Sequence, residues 1–118
     1  MPRTSTPRPR PRATPTRTVR GSRTGRPIMA LLELLGRRWS MRVLWELRDA
    51  RLSFRALQEA CDGVSPAVLN ARLRDLRDGR LVDLADGEGY GLSPLGGELL
   101  ERFLPMVGWA ERWAKSTR

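Results

Sequence analysis

The sequence predicts a mainly α-helical fold that carries one small β-hairpin. The local signals in residues 52–84 predict, in order, a short strand, a helix, a turn, a second helix and a strand. The second helix is clearly bounded, because Ser65 can cap it, Pro66 suits its first position and Gly79 stands where it should end. An Asp-Gly pair at residues 86–87 predicts a tight hairpin between two strands, residues 81–85 and 90–93. This order of elements is a winged helix-turn-helix, with the hairpin as the wing.

The N-terminal segment differs in composition from the rest of the chain. Residues 1–26 hold eight Arg, five Pro, six Thr and no acidic residue, and their larger apolar residues are only Met1 and Val19. Because so little apolar surface can be buried, we expect a disordered tail followed by a folded domain at residues 27–118. The tail carries most of the net charge of +9. It is either an arm for DNA phosphates or the minor groove, or a solvated extension from a wrongly assigned start codon.

Apolar spacing predicts two further helices before the central segment. One covers residues 28–35, and the second covers residues 41–47 with Ser40 as its cap. Leu52 and Phe54 are apolar and stand on either side of the polar Ser53, which predicts a short edge strand at positions 52–54. We expect the next helix to run to about Cys61.

After the hairpin, the sequence predicts a C-terminal helical region and a subunit interface. Ser93 and Pro94 predict its start, and Pro105 should kink or divide it. Trp109 and Trp113 share one helical face, which a monomer of this size would leave largely unused. We therefore predict a homodimer through the terminal helices. The predicted interface residues are Ile28, Leu31, Leu35, Phe103, Val107, Trp109 and Trp113.

The second helix of the central segment carries the main functional signal. At about 100° per residue, three leucines fall within a narrow arc that should be buried. They are Leu69, Leu73 and Leu76. The opposite face would enter the DNA major groove, where Arg74 could contact guanine, Asn70 adenine, and Ala67 and Ala71 a thymine methyl. Alternatively, Arg74 pairs with Asp78 on a solvated face.

Four residues could contact phosphates without reading the base sequence. They are Ser53 and Arg55 at the start of one helix, and Ser65 and Arg72 on the next. The wing tip, Asp86, Gly87 and Glu88, carries two carboxylates that would be unfavourable near phosphates. Either the wing stands clear of DNA or its acids face outward, and the Arg-rich tail could supply the missing attraction.

Composition excludes several other classes of function. The chain has no His and one cysteine, Cys61, so we expect no disulfide framework, no metal site and no cofactor. We find no paired nucleophile and base and no phosphate-cradling glycine loop, which argues against an enzyme. No apolar run approaches the ~20 residues needed to span a bilayer. We expect a cytoplasmic, nucleoid-associated protein, with Cys61 as a small buried residue instead of a reactive thiol.

Three segments carry a resemblance to a known family: ALLELLGRRWSMRVLWEL, SFRALQEACDGVSPAVLNARLRDLRDGRLV and YGLSPLGGELL. Through them, residues 27–115 resemble the HxlR-type winged-helix transcription regulators of bacteria, relatives of the MarR-like regulators. The resemblance implies a homodimer assembled from the N-terminal and C-terminal helices. Such a dimer binds a two-fold symmetric operator with its two recognition helices.

Individual residues follow this family pattern only in part. Ser65, Asn70, Arg72 and Arg74 keep the polar character of the family, whereas Ala67 and Ala71 stand where a longer polar residue is common. Several members sense electrophiles or oxidants through a cysteine just before the proline that opens the first helix. That cysteine is absent here, since the proline at position 27 follows an arginine. The wing is also shorter than is usual in the family.

The sequence therefore predicts a dimeric, DNA-binding transcription regulator, a repressor acting by occlusion, with an unidentified small-molecule effector as a further partner. Two alternatives stay open. One is a winged-helix module that binds another protein through its helices and its Trp-rich terminus. The other is non-specific nucleic-acid binding driven by residues 1–26.

Overall fold

The computed structural model describes residues 25–117 and confirms a mainly helical winged helix-turn-helix with a two-stranded antiparallel wing. In chain order, its elements are α1 (Pro27–Leu35), α2 (Ser40–Glu46), α3 (Phe54–Ala60), α4 (Pro66–Asp78), β1 (Val82–Ala85), β2 (Gly89–Leu92), α5 (Pro94–Phe103) and α6 (Pro105–Ser116). Apart from its last two residues, the predicted disordered tail lies outside the described residues and stays a prediction.

The start of α2 differs from the prediction that Ser40 caps this helix. Trp39 is the N-cap residue, in the left-handed conformation at φ 79°, and makes no side-chain cap. Ser40 is instead the first helical residue and is fully buried. The packing of Trp39 against the core accompanies this uncommon backbone conformation, and tertiary contacts of that kind override a local cap preference.

The predicted length of the edge strand, positions 52–54, was wrong. Leu52 alone forms a bridge to Tyr90, in which each backbone N–H donates to the carbonyl of the other at 2.9 and 2.8 Å. Phe54 already belongs to α3, because the hydroxyl of Ser53 accepts a hydrogen bond from the N–H of Ala56 at 3.1 Å and caps the helix there.

The core lies between α2, α3 and α4 and beneath the base of the wing. The three predicted leucines of α4, at positions 69, 73 and 76, are all buried in it, which confirms the predicted inward face of that helix. The buried cluster comprises Val43, Leu44, Leu47, Leu57, Cys61, Val64, Leu69, Leu73, Leu76, Leu81 and Val82.

Gly79 ends α4 as predicted, but for a reason other than left-handed geometry. Its φ is −80°, and the left-handed residue is its neighbour Arg80 at φ 64°. A Cβ at position 79 would lie 2.9 Å from Cδ2 of Leu34 on α1. The glycine therefore allows α1 to pack closely against the end of α4.

The wing is a short hairpin whose strands pair from Val82 with Leu92 to Ala85 with Gly89. These strands agree with the predicted ones, residues 81–85 and 90–93, to within one residue at each end. The tip turn is closed by a hydrogen bond from the N–H of Glu88 to the carbonyl of Ala85 at 3.0 Å.

Pro105 divides the C-terminal helical region, as predicted. The chain leaves α5 at Leu104 and begins α6 at Pro105. No residue of α6 is buried, so this helix projects from the domain. None of the helices within residues 25–117 has the length and apolar character needed to cross a membrane.

Candidate nucleic-acid interface

The start of α4 presents backbone donors at the surface. Ser65 precedes the helix in an extended conformation, and its hydroxyl accepts a hydrogen bond from the N–H of Val68 at 3.2 Å. Pro66 has no N–H, while Ala67 is exposed and lies where a helix N–H lacks an acceptor within the helix. The first turn holds no acidic residue. This end of α4 can therefore donate a hydrogen bond to a phosphate oxygen.

The outward face of α4 carries the side chains that could read bases. Arg74 and Ala67 are exposed on the side opposite the buried leucines, Ala71 is half-buried there, and Asn70 is exposed on the flank of this side. The alternative pair of Arg74 with Asp78 is not formed, and Arg74 makes no ion pair with any residue between 25 and 117. Its guanidinium is available for two hydrogen bonds to one acceptor edge, such as that of guanine.

Arg72 is directed along the helix instead of outward. Its Nη1 donates to Oδ2 of Asp75 at 2.9 Å, and the same oxygen pairs with Nη1 of Arg37 at 3.0 Å. The side chain of Arg72 is only 21% exposed. A phosphate contact by Arg72 stays a prediction, and the guanidinium would have to leave Asp75 to make it.

The turn between α3 and α4 is held by two side chains that the sequence did not single out. Asp62 and Gly63 both adopt positive φ, at 59° and 76°, which reverses the chain. Nε2 of Gln58 donates to the carbonyl of Val64 at 2.8 Å. These features fix the angle between α3 and α4.

Arg42, the second of these side chains, reaches the turn from α2. Nη2 of Arg42 donates to the carbonyl of Ala60 at 2.8 Å and to Oδ2 of Asp62 at 3.1 Å, and its Nε donates to Glu46. The hydrogen bonds to Glu46 and Asp62 raise the pKa of Arg42. Because the bonds to Ala60 and Asp62 join positions at least 18 residues apart, no local sequence pattern indicates them.

The two remaining predicted phosphate contacts lie at the start of α3. Ser53 caps this helix, and Arg55 is 88% exposed with its Nε 3.6 Å from Oε2 of Glu59. The structure therefore places both residues at the surface, on an element separate from α4. An exposed pair at this distance restrains Arg55 weakly.

The wing tip, defined as residues 86–88, is exposed and acidic. Gly87 takes a positive φ of 73° that the turn requires. Asp86 and Glu88 therefore stand at the most distant point of the hairpin. The tip has no basic side chain with which to enter a DNA groove.

Most of the exposed large apolar side chains in residues 25–117 lie on or beside the terminal helices α1 and α6. Ile28 is 54% exposed, and on α6 the rings of Trp109 and Trp113 stack with their centroids 6.3 Å apart. We name this set the terminal apolar face; it comprises Ile28, Leu32, Leu104, Met106, Val107, Trp109 and Trp113. Of the other predicted interface residues, Leu31 and Phe103 are half-buried and Leu35 packs partly against the core. Leu32, Leu104 and Met106 belong to this set but were not among the predicted interface residues.

Cys61 lies inside the core, as predicted, and is fully buried. Burial raises the pKa of its thiol, which lowers the fraction of reactive thiolate at neutral pH. Within the described part of the chain, no group of three or more His, Cys, Asp or Glu side chains could hold a metal ion.

We expect the thiol to be inert in the folded protein because it is buried and protonated. Iodoacetamide should leave the mass of the native chain unchanged at neutral pH and add one adduct in denaturant. A Glu88→Cys variant, whose new thiol lies at the exposed wing tip, is the matched control and should react once in the native state. Native wild type reacting as fast as this control would contradict the assignment.

Together, the capped helix after a tight turn and the adjacent hairpin define the class of DNA-binding winged helix-turn-helix proteins. The chain belongs to the HxlR-like helix-turn-helix family, whose model matches residues 34–118. The protein is therefore a transcription regulator of the HxlR type with a DNA-binding helix-turn-helix, and not an enzyme.

This chain is also similar in sequence to a known regulator and in structure to solved regulators. An uncharacterised HTH-type transcriptional regulator of Methanocaldococcus jannaschii is 29% identical over 92 residues, which cover 75% of this chain and 86% of the relative. The quinone-bound YodB of B. subtilis is 28% identical with a TM-score of 0.66, over 74% of this chain and 98% of YodB. A possible HxlR family factor from Thermoplasma volcanium, 24% identical, shares the fold with a TM-score of 0.67, over 76% of this chain and 86% of that one.

Proposed function

We propose that this regulator is a homodimeric repressor that binds a two-fold symmetric operator with α4 in the major groove. One observation carries the proposal: Arg74 projects from the side of α4 opposite its buried leucines, with Asn70 exposed on the flank of that side, and the guanidinium of Arg74 is not engaged by another residue of the described chain. The free backbone donors at Ser65 and Ala67 would position the helix against a phosphate.

The terminal apolar face supports the homodimer. Trp109 and Trp113 are 48% and 55% exposed, and α6 contributes no buried residue to its own domain. Large exposed apolar patches on small domains mark interaction surfaces. A second copy of the same helix offers a matching apolar surface, and a self-complementary interface produces two-fold symmetry. Two α4 helices related by that axis would read two inverted half-sites.

Repression by occlusion is the simplest mode of action, because it requires only that the dimer occupies its operator. The protein would act in the bacterial cytoplasm, at the nucleoid.

A small-molecule effector belongs to the proposal as an unidentified partner. The quinone-bound state of YodB suggests a quinone as the first compound to test. Because Cys61 is buried, we expect any quinone effect on DNA binding to be non-covalent with respect to this thiol.

Arg74→Ala is the direct test of base reading by α4. We expect it to lower discrimination at one base pair in each half-site by about 1–3 kcal/mol, the value of a bidentate arginine–guanine contact. The measurement is selection of bound duplexes from a random pool by the wild type and by the variant. Arg102→Ala, which removes an exposed arginine from α5 at a site paired with Glu98, is the matched control and should leave the selected motif unchanged. An unaltered motif with Arg74→Ala would contradict base reading by this residue.

The acidic wing tip and the small side chains of Ala67 and Ala71 favour a second candidate, a module that binds another protein. In that case the terminal apolar face would bind a foreign helix, and substituting Arg74 would have no consequence. The duplex selection separates the candidates, because a protein-interaction module enriches no motif.

A further inference from the structure

The side chain of Arg51 crosses the wing from its outer edge. The backbone bridge between Leu52 and Tyr90 places the segment before α3 alongside β2. From there, Nη2 of Arg51 donates to the carbonyl of Gly89 at 2.9 Å and pairs with the carboxylate of Asp83 on β1. The same nitrogen lies 3.3 Å from the carbonyl of Asp83. One guanidinium thus contacts both strands of the hairpin.

Gly91 provides the space through which this side chain passes. Gly91 is buried and pairs directly with Asp83 across the hairpin. A Cβ at position 91 would lie 2.6 Å from Nη1 of Arg51 and 2.8 Å from its Cγ and Cζ. Any side chain larger than hydrogen would displace the arginine. The contact therefore depends on a pair of residues 40 positions apart, arginine at 51 and glycine at 91.

The ion pair itself contributes little to stability. The side chains of Arg51 and Asp83 are 30% and 50% exposed, and pairs with that much solvent contact are weak. Nε of Arg51 is buried without a hydrogen-bond partner among the residues described, which also opposes a purely stabilising role. A planar guanidinium that holds acceptors on two strands instead restricts the orientation of the hairpin.

We propose that Arg51 is a positioning residue that fixes the wing against the start of α3 and so holds the acidic tip in one place relative to bound DNA. The inference rests on the proposed function, since it assigns a role to the wing within the DNA complex. With Arg51 in place, the carboxylates of Asp86 and Glu88 are kept from moving toward phosphates. Without it, the hairpin moves more freely, and repulsion between the tip and the DNA backbone weakens binding.

The first experiment follows the wing without DNA. A spin label on Glu88→Cys reports the mobility of the tip, because the native thiol is buried. Arg51→Ala and Gly91→Ala should each raise the mobility of the label, and the double variant should equal either single one, because both changes remove the same contact. Arg48→Ala, which removes a neighbouring arginine paired with Asp49, is the control and should leave the label unchanged. Equal mobility in Arg51→Ala and wild type would overturn the inference.

The second experiment measures affinity for a duplex selected by the wild type. Arg51→Ala should bind several-fold more weakly at low salt, with a deficit that shrinks as salt screens the repulsion. Adding Asp86→Asn and Glu88→Gln to Arg51→Ala should restore affinity, which loss of folding could not produce. Unchanged affinity, or a deficit that these substitutions do not restore, would overturn the positioning role. Failure of the wild type to select any duplex would instead remove the proposed function itself.

Discussion

Replacing Trp109 and Trp113 together by serine is expected to convert the protein from a dimer to a monomer and to abolish tight operator binding. Both rings are half-exposed and stacked on α6, which would place them at the centre of a subunit interface. Tryptophans at such positions commonly contribute about 2 kcal/mol or more each to association. Loss of both would raise the dimer dissociation constant by roughly three orders of magnitude. Sedimentation at micromolar concentration measures the mass directly.

The same double variant should keep its fold, because no residue of α6 is buried within its own domain. Its far-UV circular dichroism is therefore expected to match that of the wild type. Lys115→Ser is the matched control, since Lys115 is exposed and lies on the side of α6 away from Met106 and Trp113. A wild type that sediments as a monomer, or a double tryptophan variant that remains a dimer, would contradict the terminal interface.

Gly96→Ala is expected to cause a large loss of stability. Gly96 is buried in the first turn of α5, and a Cβ there would overlap the carbonyl oxygen of Leu81. The start of α5 cannot easily move away. The N–H of Ser93 donates to that carbonyl at 3.0 Å, and the hydroxyl of Ser93 donates to the carbonyl of Arg80 at 2.7 Å. We expect a loss of about 3 kcal/mol, the upper part of the range for overpacked sites.

The neighbouring glycine provides the control for this prediction. A Cβ at Gly97 would meet no atom within 4 Å. Gly97→Ala should therefore raise stability by about 0.5–1 kcal/mol through the helix propensity of alanine. Denaturant unfolding followed by circular dichroism compares the two variants. Equal free energies of unfolding for Gly96→Ala and Gly97→Ala would show that the close approach of α5 to Leu81 is not rigid.

The elements that sequence predicted well are those whose signals are local. α4 has a capping serine, a first-turn proline and a leucine repeat within one stretch of chain, so its start and its buried face were both predictable. The division before α6 followed from Pro105 alone, because proline cannot continue a helix through its missing N–H. The outward positions of Asn70 and Arg74 follow geometrically from the buried leucines.

The elements that sequence did not predict depend on distant partners. Trp39 takes a left-handed conformation at the start of α2 while its side chain packs against the core, and no short-range rule anticipates this. Gly79 is required by the approach of Leu34, more than 40 residues earlier in the chain. In the candidate site, a phosphate contact was predicted for Arg72 from its angle on the helix. The orientation of its side chain depends instead on Asp75, which also binds Arg37.

The most direct test of the central claim is selection of bound duplexes from a random DNA pool, with full-length protein and with residues 27–118. A dimeric operator-binding regulator predicts one enriched two-fold motif with half-sites about one helical turn apart, roughly 34 Å, in both forms of the protein. Residues 1–26 would then contribute affinity and not sequence preference. No enrichment, with all binding lost on removal of residues 1–26, would contradict base reading by α4 and leave only non-specific attraction by the basic segment.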